Sequence, residues 1–329
     1  MLRFALFGAG RAGSIHARNI ANHPNAELGY VYDIDTAAAE RVVASFGGHL
    51  AISQEEVWSS DAIDAVVIAS STDTHVDLLR RAIEAGLPTY CEKPIDKDVE
   101  RVKRVVAEAE EASLPVFVGF RRRFMPDLQM MHKKIRNGDL GRIETVNIVA
   151  RDHEPPPLEY AKVSGGFLLD KMIHYFDLVP WFAGEQPSEV FAAGSCLVDP
   201  AIGDLGDIDT ALVTLRFPSG TLSVIENGRR SVYGVEERIE IFGADGMLQT
   251  TPPYDNQVFH YTENGVERSR HVDYAQESFA HAMDAFIHAV EASEPVSPSL
   301  RDGLRAQLIA EAANESLRTN KAVKIDYDP

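Results

Sequence analysis

The amino-acid sequence predicts an α/β protein in two parts: a doubly wound parallel sheet, followed by an α+β arrangement with an open, largely antiparallel sheet. Two observations predict this fold class. Strand-like and helix-like segments alternate along the first third of the chain, which is typical of parallel βαβ units. Beyond about Phe120, one helix is followed mainly by strands. We therefore expect two domains, of residues 1–119 and 120–329.

In the first domain, short apolar runs that end in small or polar residues predict the strands. These strands are Phe4 to Phe7, Leu28 to Tyr32, Ala65 to Ala69, Pro88 to Cys91 and Pro115 to Val118. The helical patterns between them are Ala12 to Ala21, Thr36 to Phe46, His75 to Ala85 and Asp98 to Ala112. A sheet built in this way binds its ligand beyond the carboxyl ends of the strands.

In the second domain, alternating apolar and polar residues predict a hairpin. Thr210 to Phe217 alternates, and Pro218-Ser219-Gly220 turns the chain into Thr221 to Glu226. The remaining predicted elements are the helix near Asp127 to Arg136, the strands Ile143 to Ala150, Glu237 to Phe242 and Gly246 to Thr250, and the helices Tyr274 to Ala292 and Leu300 to Thr319. Such a sheet offers one face to solvent or to a second subunit, so we expect a homo-oligomer.

The first strand runs into Gly8-Ala9-Gly10-Arg11-Ala12-Gly13, which has the spacing of a dinucleotide-binding loop. Gly8 permits a tight turn, Gly10 carries no side chain to hold a pyrophosphate away, and Gly13 lets helix and strand approach closely. The helix that follows directs free N–H groups and the positive end of its dipole at the phosphates. The loop therefore predicts a Rossmann domain in which Gly8, Gly10, Arg11, Ala12 and Gly13 bind the cofactor.

Asp33 follows the second strand, about twenty residues beyond this loop, where a carboxylate can accept hydrogen bonds from the ribose hydroxyls. Its charge repels a 2′-phosphate, and the next residues, Ile34 and Asp35, offer no cation to bind one. We therefore predict that the cofactor is NAD rather than NADP.

Composition limits the other ligands and partners. The 329 residues carry a formal net charge of −18, which argues against nucleic acid or an anionic membrane surface as partner. No apolar run approaches the length of a membrane span. Only Cys91 and Cys196 occur, so we expect a reducing cytoplasm and no disulfide scaffold. We predict no metal site, since neither clustered cysteines nor a third ligand beside His281 and His288 is found.

The densest group of reactive side chains follows Gly165-Gly166. Asp170 and His174 are four residues apart, so a helix places both on one face, where the carboxylate can orient the imidazole. Oxidation of an alcohol needs a base and a cation beside the developing alkoxide. His174 can be that base, and Lys93, in Glu92-Lys93-Pro94 at a strand end, can be that cation. The alternatives for Asp170 and His174 are a surface ion pair or a satisfied histidine on a buried helix, and the alternative for Lys93 is a solvated lysine paired with Glu92.

Other polar residues follow the same strand ends. Ser70, Ser71 or Thr72 could contact the pyrophosphate or the nicotinamide ribose, or could cap a helix. His75 could lie near the cofactor or on a helix face. We count Ser70, Ser71, His75, Glu92 and Lys93 as candidate cofactor ligands.

Several of these segments together resemble the glucose-fructose oxidoreductase, inositol dehydrogenase and MocA-type (Gfo/Idh/MocA) family. The resemblance rests on Gly8 to Gly13, Cys91-Glu92-Lys93-Pro94, Gly119-Phe120 with Arg122-Arg123-Phe124, and Gly165-Gly166 with Asp170, His174 and Asp177. Within the family the chain is most similar to the inositol 2-dehydrogenases. The segments that carry this closer likeness are Arg151-Asp152, Pro155 to Tyr160, Val163 to Gly166, Arg229 to Gly234 and Glu237 to Gly243.

The resemblance implies an NAD-dependent dehydrogenase that oxidises a secondary ring hydroxyl of inositol or a similar polyol. Lys93, Asp170 and His174 would form the catalytic set, and Arg122, Asp177 and Tyr233 would complete the polyol pocket with them. It also implies a tetramer. The chain departs from its relatives at Arg121, Lys171 and Met125, and the two added cations raise the question of an acidic or phosphorylated substrate.

Three rival functions remain open at this point. An aldose or other sugar dehydrogenase would use the same catalytic set. An NAD-assisted glycosidase would release sugar without net NADH, and a non-enzymatic NAD sensor would bind the cofactor without turnover. All the dehydrogenase hypotheses require that Lys93 of the first domain and Asp170 and His174 of the second face one nicotinamide ring. The sequence leaves open which inositol isomer reacts, which hydroxyl is oxidised and in which direction the reaction runs. It also leaves open the choice of dimer or tetramer.

Overall fold

The computed structural model describes residues 1–250, 260–262, 265–267 and 275–327. Within them the chain forms two compact units. The first comprises Met1–Met125 and Gln276–Arg305, and the second comprises Pro126–Ala275 and Ala306–Asp328. The first unit thus includes a late segment, 276–305, that our division at residues 119 and 120 assigned to the second domain.

The elements follow one another in three stretches of the chain. Residues 1–125 contain β1 (Leu2–Phe7), α1 (Arg11–Ala21), β2 (Ala26–Tyr32), α2 (Thr36–Phe46), β3 (His49–Leu50), α3 (Gln54–Trp58), β4 (Ala65–Ile68), α4 (His75–Ala85), β5 (Thr89–Cys91), α5 (Val99–Glu111) and β6 (Val116–Val118), with short 3₁₀ turns at Thr72–Thr74 and Arg121–Phe124. Residues 126–249 contain α6 (Pro126–Arg136), β7 (Ile143–Arg151), α7 (Leu158–Ala161), a π-helical turn (Leu168–Met172), α8 (Ile173–Ala183), β8 (Glu189–Ser195), α9 (Pro200–Asp204), β9 (Thr210–Arg216), β10 (Leu222–Gly228), β11 (Glu236–Gly243) and β12 (Gly246–Gln249). The later elements are β13 (His260–Thr262), β14 (Gly265–Glu267), α10 (Ala275–Ala292), α11 (Leu300–Thr319) and β15 (Val323–Lys324). Among the helices in the described ranges, none is both long enough and apolar enough to cross a membrane.

The first unit contains the predicted doubly wound sheet. Six parallel strands lie in the order β3-β2-β1-β4-β5-β6, so the chain starts in the middle and winds outward in both directions. Five of these strands were predicted, and the sixth is the two-residue edge strand β3. The order places the ends of β1 and β4 side by side, where open α/β sheets bind ligands.

Helix α10 completes the core of the first unit. Phe286, on this helix, packs 6.2 Å from Phe4 and 5.9 Å from both Tyr90 and Phe117, measured between ring centroids. Tyr90 also stacks on Phe117. The helix predicted from Tyr274 begins in the structure at Ala275, and Tyr274 itself lies outside the described residues.

The second unit contains the predicted open sheet, with strand order β12-β11-β7-β10-β9-β8-β15. The predicted hairpin is confirmed, because β10 pairs antiparallel with β9, with Leu222 opposite Arg216. Among the described strands of this sheet, only β7 and β10 pair in parallel, so the sheet is mixed but largely antiparallel. One face packs against α8. Buried and exposed residues alternate along β9 and β10, so within the described part of the chain the other face is uncovered.

Large apolar side chains lie on the uncovered face. These residues, each 42–51% exposed, are Leu212, Leu222, Val224, Phe242 and Met247. Val224 is at the centre, opposite Thr214 on β9 and Asn147 on β7. We call this surface the open sheet face.

Candidate functional site

The glycine loop holds helix α1 tightly against strand β1. A Cβ on Gly13 would lie 1.9 Å from the carbonyl oxygen of Gly8, a distance that no side chain can adopt. Gly8 has a φ of +99°, which favours glycine. At Gly10 a Cβ would meet no atom of the described residues within 4 Å, so this position faces open space. The loop therefore leaves a cradle directly in front of the first N–H groups of α1.

Asp33 joins this loop to the end of strand β2. One carboxylate oxygen accepts a hydrogen bond from the backbone N–H of Ala9 (2.6 Å), and the other accepts one from Asp35 (2.8 Å). Each oxygen keeps a second lone pair, and the side chain is half-exposed, so it can also bind the ribose hydroxyls. The open space at Gly10 and this fixed carboxylate fit the pyrophosphate and the ribose of NAD.

At the end of β4, the predicted cofactor ligands are divided between exposed and buried positions. The Ser70 hydroxyl hydrogen-bonds to the Thr74 hydroxyl (2.7 Å), and Ser71 accepts a bond from Thr74 through its carbonyl oxygen. His75 is 1% exposed, and its two ring nitrogens face the carbonyl oxygens of Pro94 (2.9 Å) and Ser70 (3.1 Å). Burial lowers the pKa of His75, and these hydrogen bonds only partly oppose it. His75 therefore links the segment that follows β4 to the segment that follows β5.

At the end of β5, Glu92 precedes Lys93. The Glu92 carboxylate lies 2.8 Å from Nε2 of His16, and its other oxygen accepts the backbone N–H of Lys93 at 3.3 Å. Burial would raise the pKa of Glu92, but the hydrogen bond from His16 and the nearby charges of His16, Lys93 and Arg121 hold it below its ordinary value. Lys93 itself is half-buried at the carboxyl edge of the sheet.

The arginines after β6 lie in a 3₁₀ turn, Arg121–Phe124. Arg122, a predicted substrate ligand, is 8% exposed. Arg121 donates to the Ser278 hydroxyl (3.0 Å) and lies over the ring of Phe279, with its Cζ 4.8 Å from the ring centroid.

In the second unit, Asp170 and His174 lie on one continuous helical segment. Asp170 is in the π-helical turn and His174 is in the first turn of α8, and both side chains are more than nine-tenths buried. Gly165 and Gly166 precede the segment with φ values of +90° and +88°, so both positions favour glycine. Asp207 accepts the backbone N–H of Phe167 (3.0 Å) and fixes the start of the helix.

Two side chains fix the orientation of the Asp170 carboxylate. The Tyr160 hydroxyl donates to its Oδ1 at 2.8 Å, and a guanidinium nitrogen of Arg229 lies 3.6 Å from Oδ2. Arg229 is 2% exposed and packs on the ring of Phe167, with a Cζ to centroid distance of 5.1 Å. The carboxylate therefore cannot rotate without breaking one of two contacts.

The other predicted pocket residues differ in exposure. Asp177 is 3% exposed and lies three residues after His174 on α8. Tyr233 is half-exposed and donates its hydroxyl hydrogen to Glu236. The Lys171 ammonium forms an ion pair with Asp152.

Tyr160, Arg229 and Asp207 have no role predicted from the sequence. Tyr160 and Arg229 belong to segments that carry only the resemblance to inositol dehydrogenases. The sequence carries one signal for Arg229. It continues the alternate positions Ser223, Ile225 and Asn227, whose side chains are buried, so the strand pattern places a cation on the buried side. The contact of Asp207 with Phe167 joins residues forty positions apart and leaves no local pattern.

Comparison with known proteins identifies both halves of the chain. Residues 2–120 match the "Oxidoreductase family, NAD-binding Rossmann fold", and residues 128–249 match the "GFO/IDH/MocA C-terminal domain". An inositol 2-dehydrogenase of Rhizobium meliloti strain 1021 is 37% identical over 328 residues, covering 98% of this chain and 99% of the relative. A myo-inositol 2-dehydrogenase of Thermotoga maritima is 37% identical over 330 residues, covering 99% of each. The crystal structure of scyllo-inositol dehydrogenase from Lactobacillus casei with bound NAD(H) and scyllo-inositol matches with a TM-score of 0.92 at 25% identity, over 99% of each chain.

Replacing Asp33 with Asn should weaken the discrimination between NADH and NADPH. In the wild type the carboxylate repels a 2′-phosphate, so NADH should bind at least about tenfold more tightly than NADPH. In D33N the ratio should fall below about threefold. The dissociation constants can be measured by cofactor fluorescence titration.

The matched control is D35N, which removes a neighbouring charge but keeps an oxygen to cap α2, where Asp35 accepts from Ala37 and Ala38. Its NADH to NADPH ratio should stay within about twofold of the wild type. A wild type that binds both cofactors equally, or a D33N ratio that does not change, would rule out this role for Asp33.

Proposed function

The chain belongs to the Gfo/Idh/MocA oxidoreductase family, and from that membership we propose that it oxidises a secondary ring hydroxyl of inositol to the ketone with NAD. The observation that carries this proposal is the full-length similarity to two inositol 2-dehydrogenases. The buried Asp170 and His174 on one helical segment supply a base and its orienting carboxylate for that reaction.

The proposed cofactor ligands lie at the carboxyl edge of the parallel sheet. The N–H groups of the glycine loop and the dipole of α1 would bind the pyrophosphate, and Asp33 would bind the ribose diol. Ser70 and Ser71 follow β4, where their polar groups can reach the cofactor. The predicted ligands are Gly8, Gly10, Arg11, Ala12, Gly13, Asp33, Ser70, Ser71, His75, Glu92 and Lys93. His75 and Glu92 are buried, which favours an indirect contribution to cofactor binding. Each would keep in place the segments that it contacts.

In the proposed reaction, a side chain removes the hydroxyl proton and the cofactor accepts the hydride. Bound NAD supplies the hydride acceptor, at C4 of its nicotinamide ring. His174 takes the hydroxyl proton as the carbonyl forms, so its imidazole must start neutral. Asp170, fixed by Tyr160 and Arg229, orients that imidazole and stabilises the imidazolium that results. The Lys93 ammonium donates a hydrogen bond to the substrate oxygen and stabilises its developing negative charge.

We propose that the substrate is uncharged. The two cations that raised the question of an acidic ligand have partners within their own units: Lys171 pairs with Asp152, and Arg121 contacts Ser278 and Phe279. Arg122, Asp177 and Tyr233 would complete a pocket for a hydroxyl-rich ring, which needs many hydrogen-bonding groups.

Measurements of enzyme activity distinguish the proposed inositol dehydrogenase from the rival functions. The wild type should form NADH from myo-inositol or scyllo-inositol, measured by absorbance beside aldoses and with NADP in parallel. K93M keeps the chain length without the charge, and H174N keeps a polar side chain without the base. Each should lower kcat by at least about 100-fold, since both groups act in the transition state, while the Kd for NADH stays within about threefold.

The control is K97M, which removes an exposed cation four residues from Lys93 and should leave kcat within about twofold. Turnover of aldoses alone would favour a sugar dehydrogenase, and sugar release without net NADH would favour a glycosidase. Cofactor binding without turnover of any substrate would favour a sensor. Undiminished turnover in both K93M and H174N would refute the mechanism.

We further propose that the chain is a cytoplasmic homotetramer that associates through the open sheet face. Half-exposed large apolar residues across adjacent strands are unusual for a surface that stays in water. The two cysteines carry free thiols, with Cys91 buried and Cys196 half-buried, which suits a reducing compartment.

Replacing Val224 with Asp should break this association. The change places a charge at the centre of the open sheet face, where an apolar contact would have to desolvate it. Light scattering after size exclusion should give the tetramer mass for the wild type and for M130D, which alters an apolar residue on α6 that is 59% exposed, against 42% for Val224. V224D should give a smaller species, and an unchanged mass would place the interface elsewhere.

A further inference from the structure

His16 and Glu92 form a buried pair for which the proposed mechanism has no use. The His16 side chain has no solvent exposure, that of Glu92 is 12% exposed, and Nε2 lies 2.8 Å from Oε1. His16 is on α1, the helix that begins in the glycine loop, and Glu92 directly precedes Lys93. The pair therefore connects the cofactor-binding helix to the lysine segment.

The contact between His16 and Glu92 has a definite direction. An ionised carboxylate only accepts, so Nε2 of His16 must donate. The imidazole is packed between aromatic rings, with centroid distances of 4.7 Å to Tyr90 and 5.7 Å to Phe279. Its Nδ1 has no hydrogen-bond partner among the described residues. The bond to Glu92 is thus the polar contact that fixes this ring.

The Glu92 carboxylate has little room to move. A Cβ on Gly119 would lie 2.9 Å from one carboxylate oxygen, so the absence of a side chain there makes space for this group. Its Oε2 accepts the backbone N–H of Lys93, so the held carboxylate constrains the lysine main chain directly.

A second buried imidazole holds the other side of the lysine. His75 contacts the carbonyl oxygen of Pro94 at 2.9 Å and that of Ser70 at 3.1 Å. Lys93 therefore lies between two residues, Glu92 and Pro94, that are each fixed by a buried histidine. Such anchoring limits the positions that a lysine with a long flexible side chain can reach.

We propose that His16 is a positioning residue for Lys93, acting through Glu92 to hold the lysine segment in a fixed place relative to the helix that binds the cofactor. This inference rests on the proposed function, in which Lys93 acts on the substrate oxygen. His16 is fully buried, so it does not touch the substrate. Its loss should displace Lys93 but leave in place the glycine loop and Asp33, which are proposed to bind the pyrophosphate and the ribose.

Three variants separate positioning from general stability. H16F fills the aromatic pocket but cannot donate to Glu92. H16Q restores an N–H donor near the position of Nε2. The matched control is H23F, which removes a His–Asp pair at the other end of α1, where His23 lies 3.1 Å from the exposed carboxylate of Asp284.

The first measurement is steady-state oxidation of inositol together with NADH binding. In H16F, kcat should fall by about 100-fold, because small displacements of a catalytic group cost that much. The Kd for NADH should stay within about threefold, and H16Q should recover at least about tenfold of the lost kcat. H23F should behave as the wild type. Equal kcat in H16F and H23F, or no recovery in H16Q, would overturn the proposal.

The second measurement does not depend on turnover. Limited acetylation with acetic anhydride, read by peptide mass spectrometry, gives the reactivity of Lys93 relative to the exposed Lys97. This ratio should change by about threefold or more in H16F, and should return towards the wild-type value in H16Q. If the wild type oxidises no polyol but the ratio shifts as expected, the proposed function fails and the positioning role stands. An unchanged ratio overturns the positioning role.

G119A tests the same contact when H16F does not fold. A methyl group at residue 119 presses on the Glu92 carboxylate while His16 stays in place. We expect the same pattern, a lower kcat and an altered Lys93 reactivity with little change in the Kd for NADH. A G119A protein with wild-type kcat and wild-type Lys93 reactivity would contradict the proposal.

Discussion

Helix α1 can begin at the end of strand β1 only because residue 13 has no side chain. A Cβ there would lie 1.9 Å from the carbonyl oxygen of Gly8, so any other residue would force helix and strand apart. This close contact aims the helix N-terminus at the cradle beside Gly10. It also sets where His16 stands, and hence the position of Glu92 and of the lysine that follows it. The proposed cofactor site and the proposed cation thus share one rigid support.

In the second unit, the backbone before the helical segment is constrained by glycine. Two successive glycines with positive φ turn the chain into the helix that carries Asp170 and His174. Tyr160 and Arg229 then fix the two oxygens of the Asp170 carboxylate. Burying these charged groups is costly unless each has a partner, and the partners found here also determine their orientation. In the proposed reaction, the carboxylate held in this way orients the base, His174.

Local sequence patterns predicted much of the fold of this protein. The fold class, the glycine loop and the hairpin around Pro218 depend on neighbours in sequence, so composition and spacing were enough to predict them. The contacts that hold the reactive groups join distant residues: His16 and Glu92 are 76 positions apart. The edge strand β3 has two residues, too few to produce an alternating pattern. The π-helical turn before α8 has five residues, also too few to produce a periodic signal.

A crystal structure of the wild-type protein with NADH and inositol bound would test the proposed mechanism most directly. In this complex the Lys93 ammonium and the His174 imidazole should both lie within hydrogen-bonding distance of the same ring hydroxyl, about 3 Å away. The carbon that carries this hydroxyl should face C4 of the nicotinamide, with Asp170 beside the imidazole. A complex in which either group is separated from that hydroxyl by more than one water layer, or in which inositol binds away from the nicotinamide, would refute the proposed mechanism.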